Sequence, residues 1–319
     1  MSIPSLADIA AAGARFRGRL HVTPSIGSRM IAGQCGVASL SLKCESLQKT
    51  GSFKVRGALN AISQLDAPAR ARGVVTVSAG NHAQAVAWAA GLEGVHATVV
   101  MPATASKTKA AASAAYGAEA ILHGTGADAF AKALALADER GLVFVHPFDD
   151  PHVVAGAATC GLEILEQVPD AEVVVVPIGG GGLIAGVASA IKQTAPHVRV
   201  FGVEPTGADS MYRSLVAGRA LRLQAPPNTI ADGLAAPMAG DVCFDIVRQL
   251  VDEVVLVSDE EIASAMSLIL MRAKLLAEPA GAAATAALLT NKIPAARGKH
   301  VVSIISGRNV DLERMKALL

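Results

Sequence analysis

A chain of 319 residues, 52% apolar and 17% charged, has material for one large or two moderate globular domains with a sizeable core, which excludes a disordered chain. A net charge of +1, no basic tract and 3% aromatic residues give neither an electrostatic footprint for nucleic acid nor stacking surfaces for bases, so a small molecule is the expected partner. The four cysteines, Cys35, Cys44, Cys160 and Cys243, form no C-x-x-C pair and have no histidine at metal-site spacing, and they read as buried thiols of a reducing, cytoplasmic compartment.

Residues 1–20 lack the basic start and unbroken apolar run of a secretory signal; Asp8 and three arginines mark an amphipathic helix instead. Further on, a turn rich in Ser, Thr and Gly precedes Lys54, which opens an expected helix. A lysine there feels the positive end of the helix dipole, and partial burial beside Phe53 lowers its pKa further. A lysine neutral near physiological pH forms Schiff bases and acts as a base, although an isolated lysine is ordinarily a solvated surface group. β-Branched runs at 74–77, 97–101, 119–122, 142–145, 173–176, 198–203, 254–257 and 301–305 predict strands. Helical stretches are expected at 83–91, 107–116, 129–140, 183–193 and 260–276, the last opened by a capping box of Ser258 and Glu261. Such alternation implies an α/β fold of parallel sheets covered by helices. The uncharged run 173–191 contains Pro177 and four consecutive glycines, so it reads as strand, loop and helix rather than as a membrane span.

Ligands of parallel sheets bind beyond the carboxyl ends of the strands. Three of those ends carry unusual residues: Ser78-Ala79-Gly80-Asn81-His82, the glycines Gly179, Gly180, Gly181 and Gly182, and Ser306-Gly307-Arg308-Asn309. Glycines let the backbone approach an anion, and the following helix adds unpaired N–H groups, so a phosphate is the natural guest of the second loop. Gly180, Gly182 and Ala185 also fit G-x-G-x-x-A, with Glu204 ending the next strand, which leaves open an NAD-dependent oxidoreductase with Glu204 on the ribose.

The stretch Ser52-Phe53-Lys54-Val55-Arg56-Gly57 resembles the S-F-K-x-R-G lysine motif of the threonine/serine dehydratase and serine racemase family, pyridoxal-phosphate (PLP) enzymes of fold type II, like the tryptophan synthase β chain. Thr23-Pro24, Ser78 through Gln84, His146-Pro147-Phe148-Asp149-Asp150-Pro151, the glycine loop, Ala231-Asp232-Gly233, Glu278-Pro279-Ala280-Gly281-Ala282 and Ser306-Gly307-x-Asn309 follow in the family's order. The resemblance implies a large PLP-binding domain of residues 1–50 and 150–319, a smaller inserted domain of 51–149, the cofactor between them, and a homodimer. Lys54 would be covalent anchor and base. The four glycines, with the N–H of Leu183, would cradle the phosphate, and Phe53, Gly233 and Glu278 would border the cofactor. Asn81 would meet the ring hydroxyl and Ser306 the pyridine nitrogen. Ser78, Ala79, Asn81 and His82 would receive the substrate carboxylate, His82 being otherwise a capping histidine.

The implied reaction removes ammonia from L-threonine or L-serine by β-elimination, giving a 2-oxo acid. A hydroxyl at Ser306 does not stabilise a pyridinium, which suits prompt elimination. Racemases of the family carry a serine where this chain has Ala79, a side chain that holds no proton, so a dehydratase is expected rather than a racemase. Racemase-like members bind a divalent cation, and its counterparts are Glu204, Ala208 and Ser210, the last in place of an aspartate with Asp209 just before it; a monovalent ion or water fits this set as well. Ala157-Ala158 stand where many relatives have Gln-Gly. Arg308 replaces a glycine, which points either to a more demanding substrate (hydroxyaspartate, phenylserine, a hydroxyectoine breakdown product) or to an outward salt bridge. An amino-acid-sensing protein without activity would show damage in the site, yet Lys54, Asn81, the glycines and Ser306 are all in place.

Overall fold

Valine-rich runs bounded by Gly, Asp or Pro form most of the strands of the computed structural model, which describes residues 3–105 and 107–319. In chain order these are β1 (Ser25–Gly27), β2 (Ser39–Lys43), β3 (Val74–Val77), β4 (Ala97–Met101), β5 (Glu119–Leu122), β6 (Val143–Phe144), β7 (Val173–Pro177), β8 (Arg199–Pro205), β9 (Glu253–Val257) and β10 (His300–Ile304). A six-stranded sheet has the order β1-β2-β10-β7-β8-β9, and a four-stranded sheet the order β5-β4-β3-β6. Every pairing is parallel except that of β1 with β2. The smaller sheet draws all its strands from the chain between β2 and β7.

A central parallel strand is buried on both faces, and β7 shows how four valines serve that need. Val173 and Val175 face the helices Asp259–Leu268 and Pro279–Leu289, while Val174 and Val176 face Pro151–Gln167 and Gly182–Thr194. In the smaller sheet Val74, Val99 and Met101 pack on the alanines of Asn81–Glu93, and Val75 and Val100 on Gly126–Arg140. The N-terminal segment is helical from Leu6 to Phe16 and opens on a Ser5–Asp8 capping box; its first two residues lie outside the described set.

All eight expected strands are present, three with the expected boundaries and five displaced by one or two residues. The antiparallel edge formed by β1 and the adjoining β2 went unseen in the sequence. The helix expected over 260–276 also needs correction. Its α-helical part ends at Leu268, a π-helical turn Ile269–Ala273 follows, and Lys274 terminates it in the left-handed region at φ 57°. The Ser258–Glu261 capping box is formed as expected.

Candidate active site

Lys54 occupies the first turn of the helix Lys54–Ile62, which no side chain caps, and its Nζ donates to the carbonyl of Pro147 at 2.8 Å. Burial lowers its pKa to about 8. The amine therefore has an appreciable neutral fraction near physiological pH. Two residues along the same helix, Arg56 is buried between two carboxylates: Nε and one terminal nitrogen donate to Glu45 at 2.7 and 2.8 Å, and both terminal nitrogens donate to Glu163 at 2.7 and 2.8 Å. Glu163 also accepts from buried Lys43 at 2.6 Å, so this lysine is committed to an ion pair. Two acids and two bases thus fix the helix that carries Lys54.

The glycine loop joins β7 to the helix Gly182–Thr194, whose start has no side-chain cap. Its glycines are required from behind. A Cβ on Gly180 would lie 2.4 Å from the Phe148 ring, and one on Gly181, at φ 105°, would lie 2.7 Å from Cys243 Cβ. Phe148 follows the carbonyl that Lys54 meets, so lysine and loop share one wall. Next to it, Asp149 accepts from the N–H groups of Asp241, Val242 and Cys243 at 2.9–3.2 Å and so caps the helix Asp241–Leu250 from a distant stretch of chain. Phe148, Asp149, Cys243 and the Pro147 carbonyl went unassigned in the sequence; the His-Pro-Phe-Asp-Asp-Pro motif was the available signal.

Asn81 begins the helix after β3. Its Nδ2 donates to buried Glu278 at 2.6 Å, and its Oδ1 accepts from Asn309 Nδ2 at 2.6 Å. Glu278 lies against Gly307 and Gly233, where added Cβ atoms would sit 2.2 and 3.7 Å from its Oε1. Ser306 is buried, its Oγ donating at a long 3.3 Å to the Ala280 carbonyl, while its own carbonyl accepts from Phe53 N at 3.1 Å. Lys54, Asn81, Glu278, Ser306, Gly233 and the glycine loop are thus joined by a chain of direct contacts at the carboxyl ends of β3, β7 and β10.

The remaining candidates divide. Ser78 Oγ accepts from Gly80 N at 3.1 Å and shapes the loop, with Ala79 beside it. His82 is turned inward: Nε2 meets the Val145 carbonyl at 3.3 Å, Nδ1 has no partner, and burial pushes its pKa down to about 3. Only its main chain is left to meet a carboxylate. Glu204 accepts from the N–H groups of Met211 and Tyr212 at 2.9 and 2.8 Å, and burial pushes its pKa up to about 8. That carboxyl group already accepts from two N–H groups at the start of the helix Ser210–Ala217, rather than standing free for the ribose of the NAD reading. Ala208 and Ser210 lie nearby in the same turn, and Asp209 pairs with Arg213 instead. No cluster of three His, Cys, Asp or Glu side chains suited to a metal occurs among the described residues. Arg308 is exposed and forms no outward salt bridge among the described residues; its N–H donates to the Gly51 carbonyl at 3.0 Å.

The donor set fits a phosphorylated pyridine aldehyde. An uncapped helix start behind four glycines suits the phosphate, and an amine of lowered pKa suits the aldehyde. Residues 17–307 match the family described as pyridoxal-phosphate dependent enzyme. The L-threonine ammonia-lyase of Thermotoga maritima is 48% identical over 316 residues, covering 99% of this chain and 78% of that protein. The catabolic L-threonine dehydratase of Escherichia coli K12 is 43% identical over 98% of this chain and 94% of its own. Among solved structures, a threonine deaminase from T.th. superposes with a TM-score of 0.90 at 45% identity, covering 97% of this chain and 99% of that one. Maize serine racemase gives 0.94 at 39% identity, covering 99% and 97%.

Proposed function

The chain belongs to the family of pyridoxal-phosphate-dependent enzymes, and from that premise we propose that it is an ammonia-lyase that converts L-threonine or L-serine to a 2-oxo acid. The observation that carries this reading is a half-buried Lys54 at an uncapped helix start, its amine on the Pro147 carbonyl and on the same wall as the glycine loop. When bound, the cofactor supplies an electron sink for the substrate's Cα. Lys54 is its anchor, and the neutral amine of Lys54 takes the Cα proton. The Cβ hydroxyl departs as water and a water returns to release ammonia, so no oxidant is needed. The N–H groups after Gly80, uncapped by any side chain, receive the substrate carboxylate. Ala79 offers no proton to the opposite face of Cα, which favours elimination over racemisation.

Arg308, exposed and without an ion-pair partner among the described residues, extends the reading to substrates with a second carboxylate, and the homodimer and the 51–149 domain belong to the same proposal. No helix among the described residues is long and apolar enough to cross a membrane.

The test is oxo-acid and ammonia release from L-threonine, L-serine and 3-hydroxyaspartate, with chiral analysis of the residual serine. Lys54→Ala is expected to abolish turnover in a folded protein. Borohydride reduction and peptide mapping should place the pyridoxyl group on Lys54. A label on Lys43 or Lys49, or D-serine forming as fast as pyruvate, would overturn the corresponding assignment.

A further inference from the structure

Between the Lys54 segment and the loop after β10 lies a run of side-chain amides whose orientation is dictated from both ends. At one end is the carbonyl of Thr50, which is able only to accept. Asn309 must present Nδ2 to it, at 2.7 Å. The same Nδ2 has a second proton, and it meets Asn81 at 2.6 Å, so Asn81 must present Oδ1 there. That forces Asn81 Nδ2 to the other side, where it donates to the Glu278 carboxylate at 2.6 Å. Of the four amide protons in this relay, three are committed among the described residues, and one N–H of Asn81 is left over.

The anchoring end is held in an unusual conformation. Thr50, a β-branched residue, has φ 57°, and Gly51 follows at φ 75°. For a β-branched residue this is a backbone outlier, and such outliers gather at functional sites. Gly51 also admits Asn309: a Cβ there would lie 2.4 Å from Asn309 Oδ1. The turn therefore brings together the bare carbonyl and the space that Asn309 needs.

We propose that Asn309 is a positioning residue for the reaction: by fixing the amide of Asn81 it leaves that single N–H as a dedicated donor to the cofactor's ring oxygen. This rests on the reading that Asn81 meets that oxygen. A hydrogen bond donated to the ionised form of a group favours ionisation, so the donor keeps the ring oxygen charged. With the amide reversed, the ring oxygen would face Oδ1 instead, and the protonated form would be favoured.

The experiment compares the pH midpoint between the two absorbance bands of the bound cofactor, ring oxygen ionised and ring oxygen protonated, in wild type, Asn309→Ala and Asn309→Asp. Asn309→Asp has no donor and sets an acceptor against Asn81 Oδ1, pulling the amide round in competition with Glu278; Asn309→Ala leaves the amide held from the Glu278 end alone. The midpoint is expected to rise in Ala and to rise further in Asp, by about one pH unit, a tenfold change in the band ratio at fixed pH. Should Asn309→Asp fail to retain cofactor, the rise in Asn309→Ala alone decides the matter. A merely structural role would lower the stability of both variants and leave the midpoint where it is, and that result overturns the proposal. Absence of any cofactor band in wild type would instead overturn the ammonia-lyase reading itself.

Discussion

At the scale of single residues, the site joins groups whose ordinary states are altered by burial. His82 is the clearest case. Its imidazole is 2% exposed, and burial, reinforced by the charge of Lys54, holds its pKa at about 3 against an ordinary 6.5. The bond to the Val145 carbonyl opposes the shift only weakly. The folded form thus binds the proton less readily than the unfolded chain does. This contribution to stability is fully present above pH 6.5 and is lost as pH falls towards 3. Wild type should lose roughly 1.4 kcal/mol per pH unit more than His82→Asn across the middle of that window, read from urea unfolding at several pH values. Parallel curves for the two proteins would mean that His82 is solvated in the folded state. The glycine loop was legible in the sequence because its chemistry is local, and Lys54 because the S-F-K-x-R-G resemblance singled it out. The inward turn of His82 was not, since its partner lies just beyond β6, 63 residues away.

At the scale of elements, what was legible depended on residue type. The valine runs were visible as strands, whereas β2, Ser-Leu-Ser-Leu-Lys, alternates at period two without a β-branched residue and ends on a lysine buried by Glu163. The apolar periodicity of 260–276 continues through its π-helical turn, so nothing local announced the break. Capping across the fold was equally hidden. The helix Asp241–Leu250 begins after Gly240, which has no side chain to cap it, and Asp149 supplies the acceptor from the stretch that follows β6. Asp149→Ala leaves three N–H groups without that acceptor, and a loss of about 0.5–2 kcal/mol is expected by thermal or urea unfolding. Because Cys243 is one of the three donors and its Sγ meets the Phe148 carbonyl at 3.3 Å, the same variant should make Cys243 react faster with a thiol reagent. Unchanged stability and thiol reactivity together would show that water replaces the carboxylate without consequence.

At the scale of the whole molecule, the two sheets are held in register by helices that approach unusually closely. The helix Lys54–Ile62 lies against Pro151–Gln167, and at their crossing Gly156 faces the backbone of Arg56 and Gly57 faces Val153. A Cβ on Gly156 would sit 2.4 Å from the Arg56 carbonyl oxygen and 2.9 Å from Asn60 Cβ, neither of which has a flexible end that could swing aside. Backbone must move, and the segment that moves carries Lys54. Close packing transmits such a shift rather than absorbing it. Gly156→Ala is therefore expected to cost roughly 1–3 kcal/mol as an overpacking change. It should also reduce turnover more than tenfold, because misplacement by an ångström at the reacting groups has that effect. Gly33→Ala is the control. It lies in the helix Arg29–Cys35, nothing stands within 4 Å of its added methyl, and a gain of about 0.5–1 kcal/mol is expected with turnover unchanged. Paired unfolding curves and threonine turnover for the two variants separate the cases. A Gly156→Ala protein as active and as stable as Gly33→Ala would mean that the seam between the sheets yields, and that Lys54 is positioned by the Glu45, Arg56 and Glu163 ion pairs alone.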